Sequence, residues 1–122
     1  MLKIEKNRPA DSNEIAEFTT SVDFSLSGDF IDFYKEADGA SFLSESLYVN
    51  IWPVAKLVDL NESYKVSDYA PEFFLFGSDG GGSAYGIEKK TGAIFEIPFI
   101  GMSYEDAMLL SRSFKDFLTS LH

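Results

Sequence analysis

The sequence has no cysteine, a single histidine, and half as many basic as acidic side chains, 10 against 20. Without thiols there can be no disulfide, no thiolate zinc or iron–sulfur site and no cysteine nucleophile. A cysteine-free chain also fits a reducing compartment. The histidine is His122, the last residue. A frayed terminal imidazole is a poor base or ligand, which argues against Ser-His-Asp and histidine–metal chemistry. The excess of acid gives a net charge of −10. It repels phosphate backbones and anionic lipid, so neither nucleic acid nor a membrane surface is an expected partner. No apolar run approaches the roughly 18–20 residues of a membrane span. Met1–Asp11 lacks the apolar stretch of a signal peptide, so the expected location is the cytoplasm.

What the chain does have is aromatic bulk. Phe, Tyr and Trp make up 16% of 122 residues, and 12 of them are Phe. Each buried ring removes roughly 150–250 Å² from water, which predicts a Phe-filled core. The length suits one domain over residues 1–122, able to fold without a metal or a disulfide. Acidity itself serves solubility or attraction of a basic partner equally well.

The sequence is organised around Phe73–Phe99. Phe73–Phe76 is a four-residue apolar run, which predicts a strand buried on both faces. Ser78–Gly82 can supply positive φ repeatedly and turn the chain. Ser83–Glu88 returns as a second strand, Lys89–Gly92 turns again, and Ala93–Phe99 forms a third. The result is an antiparallel meander.

Upstream, Asp11 or Ser12 can cap a helix to about Thr20 whose inner face carries Ile15, Phe18 and Val22. A second helix over Gly28–Ala37 buries Phe30, Phe33, Tyr34 and Ala37 and stops at Gly39. Residues 1–10 suit an arm or edge strand. Leu47–Trp52 alternates as a strand, and Pro53 ends it or marks an exposed edge. Asp59–Glu62 resembles a capping box, predicting a short helix to about Val66. Downstream, Ser103 is placed to cap a C-terminal helix with Ala107, Leu110, Phe114, Phe117, Leu118 and Leu121 inward, with a break near Ser111 or Ser113. The class is α+β: an antiparallel sheet with a central meander, packed on one face against N-terminal helices and a C-terminal helix.

Catalytic constellations are scarce in this pattern. Gly77–Gly82 resembles a phosphate loop, but it leads into a strand rather than a helix, and no lysine follows before Lys89. Asp79 alone is too few ligands for calcium. Glu88 and Glu96 occupy neighbouring strands, yet the turn sets Glu88 opposite Ala93, so they do not face each other. Trp52 and Tyr48 suit an aromatic patch or, more readily, the core. Gly86, mid-strand, marks a bulge or close packing. No catalytic residue, metal or cofactor is expected.

Three segments in order carry a family resemblance. Pro71–Ile87 is similar to the central signature of the SUKH superfamily: apolar strand, Gly, a polar pair, glycines, short strand. Leu26–Tyr34 with Asp38–Ala40 resembles the family's early helix and its stop. Ser113–Leu118 resembles its closing helix. Ser27 stands where the family often has proline, and Asp38 where it often has asparagine. The superfamily includes bacterial immunity proteins and a fungal regulator of cell-wall synthesis. The resemblance implies a non-catalytic α+β binding domain. Its function would be neutralising a cognate toxin domain, often a nuclease, by direct contact, or alternatively serving as a regulatory or scaffold module. The acidic charge favours a basic toxin. The candidate contacts are acids around the sheet rim, Asp59, Glu62, Asp68, Glu72 and Asp79, with Tyr69 as an aromatic anchor.

Overall fold

A computed structural model describes residues 2–122. Seven strands lie side by side in sequence order, each antiparallel to the next. They are β1 (Lys3–Lys6), β2 (Ala40–Leu43), β3 (Tyr48–Ile51), β4 (Phe73–Ser78), β5 (Ser83–Glu88), β6 (Ile94–Pro98) and β7 (Met108–Ser111). Helices α1 (Ser12–Ser21) and α2 (Gly28–Glu36) join β1 to β2. Helices α3 (Val54–Ser63) and α4 (Val66–Tyr69) join β3 to β4, and α5 (Phe114–Ser120) follows β7. This is the α+β class expected from the sequence, with the meander at the centre of a larger sheet.

Local chemistry explains most of the boundaries. Asp11 caps α1 by accepting the Asn13 N–H at 2.9 Å, and Glu14 reaches back to the Asp11 N–H at 3.3 Å, a full capping box. The glycine run makes a hairpin turn: Asp79 Oδ1 accepts the N–H groups of Gly81 and Ser83, and Gly80 takes φ +77°. The run therefore leads into β5, and nothing in it opens a helix onto a phosphate. Gly86 marks close packing. A Cβ there would lie 2.8 Å from Ile97 Cδ1 and 3.0 Å from Leu75 Cδ2, and the bulge falls across from it, between Leu75 and Gly77.

The core is the aromatic cluster that the composition suggests. Phe30, Phe76 and Phe114 meet edge to face with ring centroids 4.9–6.0 Å apart. Phe33 and Phe117 extend the cluster against Phe114 and Phe76. Leu118, expected to face inward, and Phe95 of the third meander strand are half-buried against it.

Four expectations need correction. The capping box at Asp59–Glu62 does not start a helix. α3 begins at Val54 directly after Pro53, because Asp38 Oδ1 accepts the Val54 N–H at 2.7 Å from 16 residues away and caps the helix at long range. Pro53 accordingly ends an interior strand, not an edge one. Second, Ser103 does not open a C-terminal helix. Residues 103–107 form a loop, Met108–Ser111 a strand, and α5 starts after Ser113, whose hydroxyl accepts the Asp116 N–H. Ala107 and Leu110 thus leave the core stripe, while Phe114, Phe117 and Leu121 remain buried. Third, the sheet is covered on both faces at its centre. Residues in register share a face; opposite the helices, Leu75, Ala84 and Ile97 are buried, and Tyr104 from the 99–107 loop stacks on Phe73 at 5.4 Å. Fourth, Tyr48 and Trp52 part company: Trp52 is buried and Tyr48 exposed.

Candidate protein-binding surface

The sheet splits after Ile51 pairs with Gly77. β3 peels away into α3, which leaves one edge of β4 without a strand at Leu75. Asn61 on α3 fills the place of that strand. Its Oδ1 accepts the Leu75 N–H at 2.8 Å, and its Nδ2 donates to the Leu75 carbonyl at 2.9 Å. The helix is thereby held beside β4, while Val54 and Leu57 face the core, another side packs against α1, and only its outward side is exposed. Lys65 then takes a left-handed conformation, φ +56°, and turns the chain into α4. The course from α3 through α4 to β4 carries five of the six residues proposed from sequence, each of them exposed.

Asp59 and Glu62 are exposed and three apart on α3, so they are neighbours on the helix surface. Asp68 and Tyr69 are exposed on α4, Tyr69 to 60%. Glu72 is exposed at the head of β4, and its carbonyl accepts the Lys89 N–H at 2.9 Å, which ties it to the β5–β6 turn. The sixth residue, Asp79, sits at the far end of β4, roughly 20 Å away at strand rise, with Oδ1 occupied by the hairpin turn.

Two further residues belong to this surface. Tyr104 is exposed and donates its hydroxyl to Glu88 Oε2 at 2.7 Å. That hydrogen bond and the Glu88 charge push its pKa up, with a smaller push from Glu72, which places all three in one neighbourhood. By sequence pattern Tyr104 falls in the expected C-terminal helix, and Glu88 stands only as half of a carboxylate pair. The stacking partner Phe73 is separated from Tyr104 by 31 positions, so no local pattern signals the contact. Beside this rim, between the end of α1 and α3, runs a shallow open groove of about 250 Å³. Val22, Phe24 and Val58 line it, Glu62 borders it, and Lys89 reaches Asp23 Oδ1 at 3.4 Å.

Among the described residues, no group of three or more His, Cys, Asp or Glu could hold a metal ion. His122 is exposed but not frayed: its ring lies 5.9 Å from that of Phe42 and its Nδ1 2.8 Å from the Leu118 carbonyl. No helix among the described residues is long and apolar enough to cross a membrane.

The protein is thus an α+β domain with a seven-stranded antiparallel sheet, and the stretch from α3 to the head of β4 exposes Asp59, Glu62, Asp68, Tyr69 and Glu72. Residues 9–120 match the sequence profile of the SMI1/KNR4 family (SUKH-1), and the chain belongs to that family. Membership supports an immunity or protein-interaction role. No curated protein matches the chain.

Proposed function

We propose that this protein is a single-domain immunity protein that binds a bacterial toxin domain in the cytoplasm and neutralises it by contact, without catalysis of its own. The observation that carries the reading is family membership over residues 9–120, joined to the exposed acids Asp59, Glu62, Asp68 and Glu72 and exposed Tyr69 carried along α3, α4 and the head of β4. Acids bring a basic partner in from a distance, and a rigid tyrosine supplies contact area once it arrives. A nuclease needs a basic face for its phosphate substrate, and covering that face would block it. The groove beside Glu62 has apolar walls for the stem of a Lys or Arg and an acid for its head.

The test is co-expression with the toxin domain encoded beside this protein, together with calorimetry on the purified pair. Immunity requires rescue of growth and tight one-to-one binding. Failure of both removes the reading for that pair. Binding without rescue favours the alternative of a regulatory or scaffold module on the same fold.

A further inference from the structure

The two edges of the sheet are built differently. β1 runs Lys3, Ile4, Glu5, Lys6, charged at three of four positions, which is how exposed edges are commonly protected from pairing. β7 runs Met108, Leu109, Leu110, Ser111, with neither charge nor proline. Its inner side pairs with β6, Met108 opposite Glu96 and Leu109 opposite Phe95. Its outer side meets no strand among the described residues. Met108, Leu109 and Leu110 are 62%, 55% and 38% exposed, and Ile100, in the loop that leads to the strand, is 94% exposed. An apolar, uncharged edge with free backbone donors and acceptors is a template for another strand.

We propose that β7 is a self-association edge, pairing antiparallel with β7 of a second copy across a two-fold axis to make one continuous sheet. The charges at the strand's ends select this occupant. Exposed Glu105 and Asp106 precede β7, and exposed Arg112 follows it. Antiparallel pairing about a two-fold sets each copy's Arg112 beside the other's acidic pair, and symmetry provides the match twice. The apolar residues between the ends meet their own kind. A bulge at Leu110, where β6 and β7 shift register, limits the regular stretch, so the contact is short and the dimer weak, with a dissociation constant in the micromolar range. The proposal is independent of the immunity reading, because it concerns the free protein and a different strand.

Sedimentation velocity from micromolar to millimolar protein tests it. Near physiological ionic strength the Debye length of about 8 Å screens the repulsion between two chains of net charge −10 while leaving contact pairs intact. The expected result is a reversible monomer–dimer equilibrium. Leu109→Arg should weaken it about tenfold or more. Arg112→Glu should weaken it severalfold, and adding Glu105→Arg to that variant should restore it, which a general loss of folding would not do. Because the chain has no cysteine, Leu109→Cys gives a thiol that, with oxidised glutathione as the oxidant, forms a disulfide to its twin only where two β7 strands meet; Glu5→Cys on β1 should stay monomeric. A chain that is monomeric at millimolar concentration overturns the proposal, as does a dimer indifferent to Leu109→Arg or one that cross-links through Glu5→Cys.

Discussion

Asn61 meets Leu75 across 14 residues with two hydrogen bonds, accepting its N–H at 2.8 Å and donating to its carbonyl at 2.9 Å. A side-chain amide has the same donor and acceptor as a peptide unit, so one residue stands in for the strand that β3 no longer provides. Leu75 is fully buried and Asn61 half-buried, so both bonds are largely shielded from water. Leaving a buried backbone group unpaired costs about 1–3 kcal/mol. Asn61→Ala should therefore lower stability by about 2–4 kcal/mol in urea unfolding. Asn61→Asp keeps an acceptor for the N–H but turns a carboxylate oxygen toward the Leu75 carbonyl, and should recover little. An Asn61→Ala loss below about 0.5 kcal/mol would show that α3 does not anchor to β4 through this residue.

The glycines differ in what they tolerate. Gly86→Ala drives a methyl group to within 2.8 Å of Ile97 and 3.0 Å of Leu75, both fully buried. Overpacking of this kind costs about 1–3 kcal/mol. At Gly82 a Cβ meets nothing within 4 Å and φ is not positive, so Gly82→Ala should be close to neutral. Equal melting temperatures for the two variants would contradict the packing described for β5.

Phe114 and Leu110 separate the observed C-terminus from the helix expected there. Phe114 is buried against four rings, those of Phe30, Phe33, Phe76 and Phe117. Phe114→Ala should cost about 3–5 kcal/mol. Leu110 is on the exposed edge strand, and Leu110→Ala should cost less than about 1 kcal/mol, measured at dilute protein. Similar losses from both would restore a continuous helical stripe.

The pattern of success in the sequence follows the range of the forces involved. α1, α2 and the meander were legible because their signals are local: a capping box at Asp11, a stripe at Phe30, Phe33 and Tyr34, and glycines at the turn. The start of α3 was hidden because its cap, Asp38, is 16 residues away. β2 has only four residues and drew no notice between the Gly39 stop and the strand at Tyr48. The segment 107–111 has apolar spacing that suits a helix face, and its pairing with β6 overrode it. The exposure of Asp59, Glu62, Asp68, Tyr69 and Glu72 was legible from their polar or helix-end positions. Tyr104 and Glu88 joined these residues only through tertiary contact.

Two tyrosines tie stability to alkaline pH. Burial, then the charges of Glu96 and Asp79, push the Tyr85 phenol up to about 12. Burial, then Asp38, raises Tyr34, whose hydroxyl donates to the Trp52 carbonyl at 2.7 Å. In the unfolded chain both titrate near 10. The folded state holds these protons more tightly, so their contribution is complete below about pH 10 and declines as pH rises through about 12. Urea midpoints between pH 9 and about 12 should fall in the wild type and fall less steeply in Tyr85→Phe. An unchanged slope would mean that Tyr85 is as accessible folded as unfolded.

The binding surface is tested by reversing its charge against the toxin domain encoded beside this protein. Glu62→Lys with Glu72→Lys changes the net charge by four at the rim and touches no core residue. Electrostatic steering acts on encounter, so association should slow by about tenfold or more and its salt dependence flatten, with dissociation changed less. Tyr69 carries contact area and not charge, so Tyr69→Ala should speed dissociation and leave association nearly alone. Asp79 discriminates how far the interface extends. A standard interface buries about 800 Å² on each partner, enough to span β4. Asp79→Asn keeps an acceptor for the hairpin turn while removing the charge. Asp79→Asn should slow association less than the Glu62–Glu72 reversal does per unit of charge changed, because Asp79 stands at the far end of β4. Stopped-flow association at low and high salt reads all three variants. Unchanged rates for the Glu62–Glu72 reversal would move the interface off α3 and α4, and tight binding with no salt dependence in the wild type would remove electrostatic steering from the mechanism.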